Sequence, residues 1–273
     1  MSIKKIALLS LVFILAAEPS FAGASLSYEY REYKSLVGRQ KNTGYSLRTK
    51  TPFIGVVSHH LPTASPLIDN FYYQLRKGRP NIKTFVVIGP DHSERCRQKF
   101  SVSDSNVSTM YGELQSDKRV FQALLSAGAK SEAGCFEGEH SIGIQANYIR
   151  KFFPTAKIVP ILLSYSAKQR DFEILIETLK KNRADIFVLA SVDFSHYLEA
   201  RQADAVDAVS RKMINALDGS SFTLKQIDSP ATIKIILGLA KKLQLKPEII
   251  EHRNSFDYNG AYKNTTSYFS ILF

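Results

Sequence analysis

The feature that most narrows what this chain can fold into is a recurring alternation. Nearly continuous apolar runs, rich in β-branched residues, alternate with longer stretches of helical period. The runs are Thr51 to Ser58 (TPFIGVVS), Lys83 to Gly89 (KTFVVIG), Lys157 to Leu163 (KIVPILL) and Asp185 to Ala190. A strand with one wet face reads apolar, polar, apolar; these runs have no polar face, so each must be covered on both sides. The intervening stretches supply the cover. Ala64 to Lys77 places Leu67, Ile68, Phe71, Tyr72 and Leu75 at helical spacing, and Asp117 to Ala127 does the same with Val120, Phe121, Leu124 and Leu125. Ser141 to Phe153, Lys168 to Lys181, Arg201 to Leu217 and Ala231 to Leu243 are also helical. This pattern predicts an α/β fold, a three-layer α/β/α arrangement around a mostly parallel central sheet. Glu248 to Asn254 and Ser267 to Phe273 read as two further strands, and Pro160 as a break within its own. With 44% hydrophobic residues in 273, a single domain over residues 51–273 can bury one substantial core. The polar, Tyr/Arg/Lys-rich residues 25–50 read as an N-terminal arm.

Residues 1–24 stand apart. Lys4 and Lys5 precede the apolar run Ile6 to Ala17, and small residues follow through Ala22, Gly23 and Ala24. That is the pattern of a secretory signal peptide cut after Ala22 or Ala24. The run is short for a bilayer. It implies an exported, periplasmic bacterial protein with no stable membrane anchor after cleavage. The formal net charge of +11 is scattered in pairs such as Arg76 and Lys77, Lys180 and Lys181, Lys241 and Lys242. These fall at predicted helix C-termini, where cations suit the helix dipole. No basic stripe interleaved with aromatics occurs, so no nucleic-acid partner is expected. Cys96 and Cys135 allow one disulfide in an exported chain; free or metal-binding thiols are the other reading.

The chemistry gathers at strand ends. His59 and His60 follow the first run, His92 the second, and Asp193 and His196 the fourth. In open α/β sheets, ligands bind beyond the carboxyl ends of the strands, so parallel strands would present His60, His92 and His196 around one crevice. A lone histidine after a strand is usually a loop residue. Three on separate strands, two of them with acids nearby, favour a metal or acid–base site. His140 lies just before a helix. His252, in a polar late strand, reads as a surface residue without a partner.

GVVSHH, VVIGPDH, GEHSIGIQANYI, KIVPILL and ASVDFSHY occur in the order and approximate spacing of the Memo-like family, known in bacteria as AmmeMemoRadiSam system protein B. The chain resembles that family over roughly Thr51 to Phe273. The family is similar in fold to the class III extradiol ring-cleaving dioxygenases, so the resemblance implies a dioxygenase-like fold. It also implies a metal site lined by the histidines of the first two motifs. His60 matches the first, with His59 where the family usually has proline, and His92 matches the second. The Gly-Tyr that usually follows the first histidine is missing. The family often supplies a third ligand, a Cys, before a late helix. Here that stretch is Ile227-Asp228-Ser229-Pro230-Ala231. Asp228 either replaces the Cys, giving a two-histidine, one-carboxylate set suited to iron(II), or caps the helix beside Ser229. Glu139 and His140 match the family's Glu-His-Ser segment and Gln145 matches as well, but Gly143 stands where a second Glu is common. Asp193 and His196 match the family's Asp and His. By analogy with the dioxygenases, His196 would be a general base supported by Asp193, with His140 and Glu139 completing the catalytic set.

Two functions follow. One is a metal-dependent enzyme, with a divalent cofactor such as iron(II), acting on an unknown small molecule or peptide. The other is a non-catalytic protein that keeps the fold to bind a metal, a peptide or a small ligand. The missing Cys, the missing Gly-Tyr and Gly143 favour the second.

Overall fold

The structure, a computed structural model, describes residues 20–21, 45, 47–167, 169–184 and 186–273. In chain order its strands are β1 (Ser20–Phe21), β2 (Ile54–Val57), β3 (Thr84–Pro90), β4 (Phe100–Val102), β5 (Asn106–Thr109), β6 (Gly112–Leu114), β7 (Lys130–Ser131), β8 (Lys157–Leu163), β9 (Ile186–Ser191), β10 (Glu248–Asn254) and β11 (Ser267–Leu272). The helices are α1 (Ser65–Gly78), α2 (Lys118–Ser126), α3 (His140–Phe152), α4 (Gln169–Lys181), α5 (Ala200–Asn215), α6 (Pro230–Lys242) and the short α7 (Ser255–Asn259). Lys168 and Asp185, expected to open a helix and a strand, lie outside the described residues. So does most of the expected signal peptide, and so do residues 25–44 and 46 of the expected arm. Ser20–Phe21 pair in parallel with Asn106–Val107.

The main sheet has eight strands in the order β10-β11-β2-β9-β3-β8-β4-β7. Its centre, β2-β9-β3-β8, is parallel throughout. These are the four continuous apolar runs, and all but Lys157 in them are buried. Alternate residues face opposite layers. Ile54, Val56, Val86, Ile88, Val188 and Ala190 join one core with Leu124 of α2, Leu175 of α4 and Ile236 of α6. Val57, Phe85, Val87, Phe187 and Leu189 join the other with Phe71 of α1 and Ile142 and Ile149 of α3. The expected three layers are therefore present. The flanks reverse: β11 runs antiparallel to β2 and to β10, and β4 antiparallel to β8. Parallel register brings the C-termini of β2, β9 and β3 to one end of the sheet.

Pro160 does not break its strand. β8 runs from Lys157 to Leu163, with Pro160 opposite Val87 of β3. The N–H of Ile158 points away from β3, donating to the carbonyl of Gln115. Two residues on, the nitrogen of Pro160 points the same way, where the ladder with β4 reaches only Ile161. No ladder hydrogen bond is lost, the condition under which a sheet tolerates proline.

Glu248 on the edge strand β10 ties down Tyr45, Arg48 and Thr49. It accepts from Tyr45 Oη (2.6 Å), Arg48 N (2.8 Å) and Thr49 N (2.6 Å). Burial opposes its ionisation, but these donors outweigh it and hold the carboxyl at about 2. A depressed carboxyl stabilises the fold above its ordinary value, and that contribution is lost as pH falls through the folded one. Glu248→Gln is expected to lower the melting temperature at neutral pH, with the gap to the parent closing between about pH 4.5 and pH 2 in thermal melts.

Candidate functional site

The carboxyl ends of β2, β9 and β3 meet the N-terminus of α3 in a buried polar cluster. The ligand-competent atoms of His59, His92 and His140 lie within 4.8 Å of one another, and so do those of His59, Asp193 and Asp228. The rings of His92 and His140 stack with centroids 4.1 Å apart, and each stands edge-on to His59 at 5.0 Å.

Each group is held by a different element. His59 follows β2, and its backbone N–H donates to Asp193 Oδ1 (3.2 Å). Its Nδ1 is 3.3 Å from Ser191 Oγ and its Nε2 is 3.3 Å from Asp228 Oδ2. His92 follows β3. Its N–H donates to Glu139 Oε2 (3.0 Å), and its Nδ1 lies 2.8 Å from Glu139 Oε1. That leaves Nε2 facing Asp228 Oδ2 at 3.8 Å. Glu139 is also the N-cap of α3, accepting from Ser141 N at 2.9 Å, so the residue that orients His92 also fixes the helix that begins at His140. Gly89 makes this approach possible: a Cβ there would stand 2.5 Å from Ser141 Oγ. Gln145, one turn into α3, donates to the Ser58 carbonyl (2.9 Å) and to Ser191 Oγ (3.0 Å), and accepts from Tyr72 Oη (2.9 Å). It fastens β2 and β9 to the helix.

Asp228 does not cap α6. Ser229 does so, accepting from Thr232 N. Asp228 turns inward instead. Its Oδ2 accepts from Asp193 N (3.0 Å) and faces both histidines, while its buried Oδ1 has no hydrogen-bond partner among the described residues. Asp193 accepts from Ser58 Oγ at 2.5 Å and stands 3.6 Å from His59 Nε2.

The electrostatics follow from burial and pairing. Burial opposes charge on His59, but Asp193 and Asp228 outweigh it and raise its pKa. The same contest at His92, with Asp228 and Glu139 as partners, raises it to about 10. Burial together with its two histidine neighbours pushes His140 down to about 4. Burial opposes ionisation of Glu139 and Asp228, yet His92 holds Glu139 at about 2, and His59 and His92 hold Asp228 far below its ordinary value.

The structure shifts the expected first histidine by one residue. His59, not His60, gathers with His92 and His140. His60 is turned aside, its Nδ1 2.7 Å from the hydroxyl of Tyr268 on β11, and burial lowers its pKa. The sequence contained a signal for this. Val57 faces the layer that contains α3, and carrying the strand's two-residue alternation onward puts His59 on that same side. His196 also lies apart from the three-histidine group, half-buried and 5.7 Å from the Tyr197 ring. His252 is no unpartnered surface residue: its Nε2 lies 2.8 Å from Asp207 Oδ2. Asp207 in turn accepts from Ser195 Oγ at 3.2 Å, bracing the segment that carries Asp193 and His196. Cys96 and Cys135 form a disulfide.

Fold and site together define an α/β protein with a histidine–carboxylate group at a sheet's carboxyl end, able to hold a metal ion. The sequence profile of the Memo-like protein family matches residues 17–272, and the chain belongs to that family. A MEMO1 family protein from Sulfurisphaera tokodaii is 27% identical over 217 residues, covering 74% of this chain and 75% of the relative. Another from Caldivirga maquilingensis is 26% identical over 254 residues, covering 88% and 87%. The crystal structure of an uncharacterized Escherichia coli protein aligns with a TM-score of 0.52 at 15% identity. It covers 81% of this chain and 99% of that one, and its likeness is one of fold alone.

Proposed function

We propose that the chain is an exported metal-dependent protein whose centre is built by His59, His92 and Asp228, with His140 beside them. One observation carries this reading. Both histidines have Nδ1 against a protein oxygen and turn Nε2 toward the same Asp228 oxygen. That is how metal-ligating histidines are oriented, the far nitrogen fixed so that the near one is presented. The partnerless Asp228 Oδ1 fits the same account, since a buried carboxylate oxygen without a donor is costly unless a cation meets it. Two histidines and a carboxylate suit iron(II), and such an ion would polarise a bound oxygen-containing group. Around it, Glu139 orients His92, Asp193 holds the backbone of His59, and His140 is the imidazole placed to accept a proton from a small polar substrate.

The test is elemental mass spectrometry on untagged protein purified without chelator. Near-stoichiometric metal is expected in the parent and in His60→Ala, and none in His59→Ala/His92→Ala. Metal retained by the double variant would refute the assignment.

Export is supported by Lys4, Lys5 and the apolar run after them, and by the Cys96–Cys135 disulfide, a bond that persists in oxidising compartments. N-terminal sequencing of protein from a periplasmic extract is expected to begin at Gly23 or Ser25. Recovery of the intact N-terminus in the cytosolic fraction alone would count against export.

A further inference from the structure

A cavity of about 230 Å³ opens beside the metal crevice. Its lining includes Leu163 and Tyr165 at the end of β8, Phe172 of α4, Phe222 and Leu224 from the loop after α5, and Lys234 of α6. Four of these six are apolar. Leu224 is 65% exposed, an apolar side chain left open to water.

The wall formed by the loop is built. Asp218 Oδ1 accepts from Ser220 N (3.1 Å) and Oδ2 from Ser221 Oγ (2.7 Å), folding the loop back on itself. Gly219 lets it lie against α6: a Cβ there would be 2.7 Å from the Cα of Lys234. The Nζ of Lys234 lies 5.7 Å from the centre of the Phe172 ring, and no carboxylate pairs with it among the residues whose side chains are described. The other polar residues of the lining include the neutral Ser164, Ser220 and Ser229.

The cavity adjoins the centre. Ser229, on its wall, follows Asp228 directly. Tyr165, also on its wall, comes just after Leu163, the last residue of β8, which pairs with Pro90 at the end of β3.

We infer that this cavity binds a small monocarboxylic acid with an apolar, benzene-sized body, its carboxylate on Lys234 and its body against Leu163, Phe172, Phe222 and Leu224. A cavity of roughly 150 Å³ suffices for benzene, so the volume accommodates a ring and one acid group. One lysine ammonium matches one negative charge. A phosphate dianion would call for further cations or forked donors, and among the described side chains of the lining Lys234 is the cation. The inference deepens the metal-centre reading by naming the class of molecule brought to it, but the binding itself needs no metal.

Fluorine NMR with para-fluorobenzoate, titrated into the chelator-treated wild-type chain, tests it without the metal. Saturable binding below roughly 1 mM is expected, with para-fluorobenzamide at least tenfold weaker. Lys234→Met, its fold checked by circular dichroism, is expected to weaken the benzoate tenfold or more, and Lys234→Arg to restore most of the loss. Three results would overturn the inference: no saturable binding, equal binding of the amide, or unchanged binding in Lys234→Met. Benzoate binding in a chain that takes up no metal would leave the cavity assigned and remove only the metal centre. Metal uptake without benzoate binding would do the reverse.

Discussion

Asp228→Asn is expected to lower divalent-metal affinity by roughly 100-fold or more, beyond the 10–100-fold that loss of an outer partner brings. The side chain keeps its shape but gives up the charge that faces His59 Nε2 at 3.3 Å and His92 Nε2 at 3.8 Å. The metal-free fold responds as well. Asp228 is then the anion facing two histidines whose raised pKa values favour their charged forms, and removing one member of a buried ionic group typically costs about 3–5 kcal/mol. The pH dependence has a definite sign. Asp228, depressed, contributes stability above its ordinary 3.8 and loses it as pH falls further. His92, raised, contributes fully below its ordinary 6.5 and loses it as pH rises toward about 10. The Asp228–His92 pair therefore contributes most between about pH 4 and pH 6.5, against a His140 whose depressed pKa costs stability as pH falls below 6.5, and Asp228→Asn is expected to remove the pair's contribution in thermal melts. Metal affinity runs the other way, rising with pH as the histidines shed the protons that compete with the ion. Metal binding by Asp228→Asn at the parent's affinity, with loss in His60→Ala, would return the ligand role to His60.

How much of this was legible in the sequence depends on the range of the interaction that fixes each feature. β2, β3, β8 and β9 are visible because a strand buried on both faces has to be apolar at every position. The crevice is visible because parallel strands end together. The small strands β4 to β7 carry no such mark. They have two to four residues each, and pairing across the fold defines them where local pattern does not. Pro160 misleads for the same reason: whether a proline breaks a strand depends on whether a neighbour needs its N–H, and that is a property of β4. The two mistaken histidines differ in kind. Aligning Ser58-His59-His60 on a family motif favours His60, while the alternation from Val57 favours His59, and the geometry follows the alternation. His252 has no local sign of its partner, because Asp207 is 45 residues away on α5. Asp228 presented two readings, cap and ligand. Ser229 takes the cap, which leaves its neighbour free to face the histidines.

The Cys96–Cys135 disulfide links the scaffold to the site, and breaking it is expected to damage both. Cys96 lies four residues after His92, in a turn where buried Asp91 accepts from Arg95 N (3.2 Å) and Cys96 N (2.8 Å). Cys135 lies four residues before Glu139, in the 3₁₀ turn Ala133–Phe136. The bond therefore staples the segment that carries His92 to the segment that carries the residue orienting it. It spans 39 residues of chain, and closing a loop of that length in the unfolded state is worth roughly 4 kcal/mol in the chain-entropy account. Cys96→Ser/Cys135→Ser is expected to melt roughly 10 °C lower. Metal affinity is expected to fall by about tenfold, since His92 and Glu139 keep their identities but lose part of their mutual positioning. Dithiothreitol added to the parent should reproduce both changes and leave the serine variant unaffected. An unchanged melting temperature on reduction would mean that the packing around Asp91 and Phe136 holds these segments without the bond, and that His92 owes its orientation to Glu139 alone.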